Sequence, residues 1–190
     1  MHYDNRWFDP LYLEELLKEE EKSIRQTAHD YCNKNLLPFV IKNNQNSYFD
    51  RELYKEFGSM GFLGSTINGY GSANCNKISY GLISAEFESI DSSYRSAISV
   101  QSSLVIHPIF SFGSEKQKEK YLSSLIKGEL IGCFGLTESE AGSDPSSMGT
   151  FFKEEKDSFI INGTKSWITN APIADIFIIW ALNDKKEIHG

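Results

Sequence analysis

From Pro10 to Leu37 the apolar residues Leu13, Leu16, Leu17, Ile24, Ala28 and Cys32 recur at the spacing of one helix face. Asp9 stands ahead of a proline at the first turn as a cap, and Pro38, which cannot extend the hydrogen-bond ladder, is expected to end the helix. "DRELYKEFGSM" predicts a short second helix capped by Asp50, with Leu53 and Phe57 on the face that needs a partner. "GFLGSTINGYG" reads as a glycine-punctuated turn. Helical periodicity then returns in two pieces, Lys77 to Ile90 and about Ser93 to Phe112, with Asp91-Ser92-Ser93 as the cap between them. The second piece is almost without charge apart from Arg95, which suits a central place in a bundle, and Pro108 should kink it. Ser114 and Gln117 form a capping box for a last helix that Gly128 closes. About five helices joined by short links predict a bundle.

After Gly128 the period changes. "ELIGCFGL" is a strand-sized apolar run, "DSFIINGTKSWIT" predicts a hairpin turning at Asn162-Gly163, and "ADIFIIWAL" is a further strand. The expected class is α+β, with a helical domain over 1–129 and the first part of a β domain over 130–190. The runs "FIING" and "IFIIWAL" call for a second layer, so this β domain is expected to be incomplete and the chain to associate through its open edges.

A formal charge of −7, with Lys and Arg spread through the sequence, argues against a nucleic-acid surface while leaving room for a local basic pocket. Cys32, Cys75 and Cys133 are an odd number without a CxxC pair, and the histidines lack ligand spacing, so neither a disulfide framework nor a metal site is expected. "MHYDNRWFDP" has neither an apolar core nor an arginine-rich amphipathic run, and no apolar run is long enough to span a membrane. The chain therefore reads as intracellular and without a targeting segment.

Candidate chemistry concentrates in "CFGLTESEAGSDPSSMGT", where a strand runs into a cluster of glycine, serine and acid. Thr137, Glu138, Gly142, Ser143 and Asp144 offer hydroxyls and backbone N–H groups suited to a flat, acceptor-rich ligand or a phosphate; the same composition also suits a capped, solvent-facing loop. Trp167 in "SWIT" is by default a core or half-buried strand aromatic. Arg95 reads either as a surface partner of Glu88 or Asp91, or as one of a pair with Glu88, seven residues earlier, addressing a single cleft. His107 reads as a packed helix residue. No Ser, His and acid series or paired carboxylates recommend themselves.

Three segments, "GCFGLTESEAGSD", "INGTKSWITN" and "DSSYRSAISVQSSLVIHPIFSFGSEKQKEKYL", resemble the acyl-CoA dehydrogenases in order and spacing, and the last resembles glutaryl-CoA dehydrogenases in particular. The resemblance runs from about Ile24 onward and covers the family's N-terminal helical domain and the opening strands of its middle β domain, with the C-terminal helical domain absent. It implies FAD as cofactor, with Phe134, Gly135, Leu136, Thr137, Glu138, Gly142 and Ser143 along the flavin and Trp167, Ile168 and Thr169 against the isoalloxazine. Thr137 would lie near the pyrimidine edge, and Ser143 would be shared with acyl-CoA. Ser139 stands where the family usually has proline. Arg95 and Ser96 in "YRSA" match the pair that holds the distal carboxylate of the substrate, and Glu88 matches a wall of the same pocket. The implied activity is oxidative decarboxylation of glutaryl-CoA to crotonyl-CoA and carbon dioxide, with electron-transfer flavoprotein as electron acceptor. The implied assembly is a homotetramer, in the mitochondrial matrix of a eukaryote and otherwise in the cytoplasm. The base that removes the alpha proton belongs to the family's C-terminal half, so no catalytic residue is expected in this chain. Two other readings stand beside this one: a dehydrogenase of short or branched acyl-CoA without decarboxylation, and an inactive binding or assembly module.

Overall fold

The computed structural model describes residues 9–156 and 158–190. Most of the N-terminal stretch read for targeting signals, and Asp157, lie outside the described residues. The first helix, α1 (Leu13–Leu16), is held by Asp9, whose carboxylate accepts from the N–H groups of Leu13 and Glu14 at 2.9 and 2.8 Å. Leu17 is extended and breaks it. A second helix, α2 (Glu19–Tyr31), follows, with the Glu21 carboxylate accepting from Lys18 N–H at 2.8 Å.

Pro38 does not end this helical run. The chain passes through a π-helical segment (Cys32–Leu36) and a 3-10 turn (Leu37–Phe39) into α3 (Val40–Gln45), because Pro38 falls in the first turn of the 3-10 segment, where its missing N–H is not needed. Helix α4 (Leu53–Ser59) follows a turn in which Asp50 accepts from Glu52 N–H at 3.0 Å. Its buried side chains are Tyr54 and Phe57, rather than the expected Leu53 with Phe57.

Asn76 caps α5 (Lys77–Ile90), and the extended Asp91 accepts from Ser93 N–H at 2.8 Å to start α6 (Ser92–Ser99). A π-helical segment (Val100–Ile106) carries α6 into α7 (His107–Phe112). Pro108 stands in the first turn of α7, directly after the widened ladder in which His107 N–H reaches back to the Ser102 carbonyl. The Ser114–Gln117 capping box starts α8 (Glu115–Ile126). Gly128 closes it at φ 70°, and a Cβ there would meet the Tyr54 carbonyl oxygen at 1.9 Å.

Six short strands follow among the described residues: β1 (Gly132–Gly135), β2 (Phe151–Glu155), β3 (Ser158–Asn162), β4 (Ile176–Ile179), β5 (Ala181–Leu182) and β6 (Ile188–His189). β1 and β4 pair in parallel, from Gly132 opposite Ile176 to Gly135 opposite Ile179. The other strands form a sheet in the order β3-β2-β5-β6. Asn162-Gly163 is not the hairpin turn. Asn162 pairs with Phe151 at the open end of the β2–β3 ladder, and the closed end lies at Glu155 and Ser158. Glycine is required at 163 for another reason: a Cβ would fall 2.2 Å from Thr150 Oγ1 where the chain leaves the sheet.

The chain forms two compact units, one of the residues up to Tyr48 with Cys75–Arg95, the other of Phe49–Asn74 with Ser96–Gly190. The change from helix to strand falls near residue 130 as the sequence indicates, but the compact units divide elsewhere, because the later helices pack with the strands. In the first unit α2 packs along α5 over Ala28, Tyr31, Cys32, Ile83 and Phe87. Burial there pushes the Cys32 thiol up to about 12, with Glu86 adding to the effect, so this thiol is inert near neutrality.

In the second unit Gln101, fully buried, donates to the carbonyls of Leu125 and Leu130 at 2.9 and 2.8 Å and accepts from Gly132 N–H at 2.8 Å. One side chain of the π-helical segment thereby fixes the end of α8 and the first residue of β1. Phe159, Ile160, Ile161 and Phe177 remain exposed on the sheets. No described helix is long and apolar enough to cross a membrane. Replacing Gln101 with leucine should leave the Gly132 N–H and the Leu130 carbonyl without partners and lower stability by about 2–4 kcal/mol. Urea unfolding of the chain checks this, and an unchanged midpoint would exclude the role.

Candidate functional site

Beyond β1 the second unit presents the loop singled out in the sequence. Glu138 and Ala141 exchange backbone hydrogen bonds at 3.1 and 3.2 Å, closing a tight turn over Ser139 and Glu140. Serine at 139 is therefore held in the turn without the rigidity of a proline ring. The Glu138 side chain turns into the fold. It accepts from Lys165 Nζ at 2.8 Å, from Gly149 N–H at 2.6 Å and from Thr150 N–H at 3.0 Å, with both members of the ion pair about nine-tenths buried. Glu138, expected as a cofactor contact, is an internal anchor of the loop, its carboxylate and its N–H group both engaged by the fold. Burial alone would raise its carboxyl pKa. The Lys165 ammonium and the two backbone N–H groups outweigh that effect and hold it at about 2.

Lys165 is the residue that sequence reasoning missed. Its ammonium also donates to the Leu136 carbonyl at 3.0 Å, and the next residue, Ser166, donates its N–H to the Thr137 carbonyl at 2.9 Å. The loop at 136–138 and the segment at 165–167 are thus brought side by side. The signal was a lone cation in "INGTKSWITN" within an otherwise neutral run, together with an acid in the loop, but nothing local pairs residues 27 apart.

Trp167 is 96% exposed with φ 59°, which overturns its default reading as a core or half-buried strand aromatic. A bulky residue in the left-handed region is rare and strained, and a tryptophan that buries almost nothing gives up the burial that normally stabilises it. Ile168 is half-buried and Thr169 exposed. Asn170, also left-handed at φ 70°, fastens this segment to β1 by donating to the Gly132 carbonyl at 3.1 Å.

Phe134 stacks edge-on against Trp180 with ring centres 5.9 Å apart, and Gly135 lies under Ile179, so these two sit within the β1–β4 sheet. Thr137 is half-buried, whereas Gly142 and Ser143 are exposed beyond the Glu138–Ala141 turn, where Asp144 caps a 3-10 turn through Ser146 N–H at 3.1 Å. Two grooves of this unit, of about 710 and 470 Å3, are lined by other residues, among them Phe112 and Phe177 in the larger and Phe159 and Ile161 in the smaller. The candidate residues lie outside both.

In the first unit Arg95 Nε donates to Glu88 Oε2 at 2.6 Å, and both side chains are more than a third exposed. The break at Asp91 keeps Glu88 on α5 and Arg95 on α6 within reach, while Asp91 itself is used as a cap. An ion pair this exposed contributes little to stability. Ser96, the next residue along α6, is half-buried and is counted with the second unit.

Residues 18–129 match the model of the acyl-CoA dehydrogenase N-terminal domain, and residues 133–190 that of the acyl-CoA dehydrogenase middle domain. The chain belongs to the acyl-CoA dehydrogenase family. It is 36% identical over 180 residues to the short-chain acyl-CoA dehydrogenase of Megasphaera elsdenii, spanning 92% of this chain and 47% of the relative. Over 175 residues it is 36% identical to bovine mitochondrial isovaleryl-CoA dehydrogenase, spanning 90% of this chain and 41% of the relative. A glutaryl-CoA dehydrogenase of Mycobacterium smegmatis, solved in complex with FADH2, superposes with a TM-score of 0.90 at 42% identity over 92% of this chain and 45% of that one. The chain thus spans about half the length of the relatives it matches.

The low pKa of Glu138 makes a pH prediction. A carboxylate depressed on folding stabilises the fold above its ordinary value of 4.5, and that stabilisation is lost as the pH falls from 4.5 towards 2. Urea midpoints measured across that window should fall more steeply for the wild type than for Glu138→Gln. Parallel declines would show that the ion pair is not formed.

Proposed function

We propose that this chain provides the flavin-facing wall and the carboxylate clamp of an FAD-dependent dehydrogenase acting on glutaryl-CoA. The observation that carries the flavin part is Trp167: a fully exposed aromatic ring on a left-handed backbone, tied through Ser166 to the Thr137 loop. A flat ring system with one apolar and one polar edge fits such a place. The indole offers an apolar face, and the hydroxyls of Thr137, Ser143 and Thr169 offer donors and acceptors around it. FAD, when bound, supplies the acceptor for a hydride from the acyl chain.

The protein's share is placement. Trp167, with Ile168 beside it, covers the ring and excludes water, Thr137 donates at the pyrimidine edge, and Ser143 is shared between cofactor and acyl-CoA. Phe134 and Gly135 at the end of β1, with Leu136 just beyond it, hold the wall behind them. Arg95 presents a guanidinium fork to a substrate carboxylate, with Glu88 orienting it through the Nε bond and Ser96 adding a hydroxyl. Glu138 and Glu88 are both held in ion pairs, so neither is assigned as the base for the alpha proton. Electron-transfer flavoprotein as electron acceptor and a homo-oligomeric assembly are further parts of the proposal and rest on family membership.

Decarboxylation of glutaryl-CoA is supported by Arg95 and Ser96 and by the likeness to the mycobacterial glutaryl-CoA dehydrogenase. The short-chain and isovaleryl-CoA relatives support an ordinary acyl-CoA substrate instead. Flavin titrations of the chain test the first part: Trp167→Ala should weaken FAD binding about tenfold and Thr137→Val about fivefold, the latter equivalent to one hydrogen bond of about 1 kcal/mol. Unchanged affinity in both variants would remove FAD from this surface. For the substrate, Arg95→Ala in the FAD-loaded protein should cost glutaryl-CoA roughly thirtyfold or more in affinity and leave butyryl-CoA nearly unaffected. Equal losses for the two thioesters would favour the ordinary acyl-CoA reading.

A further inference from the structure

We propose that Lys165 is a positioning residue of the flavin site, setting the Thr137 loop and the Trp167 ring in one geometry through a single buried ammonium. This rests on the reading that FAD binds there. An ammonium only about one-tenth exposed is costly to bury unless every donor is engaged. Lys165 Nζ meets the Leu136 carbonyl at 3.0 Å, the Glu138 carboxylate at 2.8 Å and, more weakly, Met148 Sδ at 3.9 Å. Those partners belong to two separate stretches of chain. The first begins at the end of β1 and carries Thr137 between Leu136 and Glu138. The second runs from Met148 to Thr150, and Glu138 reaches it again through the N–H groups of Gly149 and Thr150.

The third stretch is Lys165's own. One residue on, the Ser166 N–H locks onto the Thr137 carbonyl, and two residues on, Trp167 takes its left-handed conformation. A strained backbone persists only where its surroundings over-determine it. On one side of Trp167 those surroundings are the Lys165 and Ser166 bonds, and on the other the Asn170 amide on the Gly132 carbonyl. Lys165 touches neither hydroxyl nor ring, and its effect on the cofactor passes through Thr137 and Trp167. Methionine at 165 would keep the unbranched stem and remove the donors. Glutamine at 138 would keep one acceptor oxygen, for either the Gly149 or the Thr150 N–H, while removing the charge that the ammonium balances.

The experiment titrates FAD into the wild type, Lys165→Met and the double variant Lys165→Met with Glu138→Gln. It follows flavin fluorescence and the visible circular dichroism of the bound flavin, which reports its orientation, and records urea midpoints in parallel. The double variant carries no unpaired buried charge and so separates folding from positioning. It should unfold at a midpoint close to that of the wild type, yet bind FAD at least tenfold more weakly and with an altered visible dichroism band. Affinity and dichroism equal to wild type in the double variant would overturn the role of Lys165 while leaving the flavin reading intact. A folded wild-type chain that takes up no FAD would overturn the flavin reading and this proposal with it.

Discussion

The second unit is organised by one buried amide. Gln101 projects from a stretch of helix whose ladder has widened and bonds three backbone groups where α8 ends and β1 begins, two of which, the Leu130 carbonyl and the Gly132 N–H, would otherwise be stranded. A helix layer and a strand meet edge to end here, and neither regular structure can supply the other's missing partners. A side chain with a donor and an acceptor on one planar group can do both. The start of β1 is thereby fixed, and four residues later the same strand delivers Leu136, Thr137 and Glu138 to the candidate site.

From that point rigidity is handed outward by progressively smaller means. Main-chain pairing with β4 holds β1. The Glu138–Lys165 ion pair, sheltered from water and reinforced by backbone N–H groups, holds the loop to the segment after β3. The Ser166 and Asn170 bonds hold the residues on either side of Trp167. The last member of the series is strained and almost wholly exposed, an arrangement suited to meeting a flat ring without rearranging. In the first unit the Arg95–Glu88 pair has a different character: two charged side chains at moderate exposure, contributing little to folding and remaining accessible to an anion.

The helices were legible where capping chemistry is local. Asp91 separates α5 from α6, and Ser114 with Gln117 starts α8, because each needs only residues within one turn. Pro38 was read too strongly. It is absorbed by a change of helical pitch, an outcome decided by what the flanking turns can accommodate. Asn162-Gly163 carried the local signature of a hairpin, but its glycine serves a close approach to Thr150, a tertiary demand that a dipeptide cannot show. The candidate loop was legible as a cluster of hydroxyls and glycines. What holds it was not: the partner of Glu138 is 27 residues away, and the left-handed backbone of Trp167 leaves no mark in composition or period. Tyr54 was overlooked for a similar reason, since its burial is set by the elements packed on α4 rather than by the pattern within α4.

The central claim, that the exposed face of Trp167 exists to meet a flavin, is tested most directly by a crystal structure of this protein grown with FAD. The account predicts the isoalloxazine in van der Waals contact with the Trp167 indole, the Thr137 hydroxyl within hydrogen-bond distance of the pyrimidine edge, and the Glu138–Lys165 pair intact behind them. A structure with Trp167 packed against another stretch of polypeptide and the flavin bound elsewhere would contradict it.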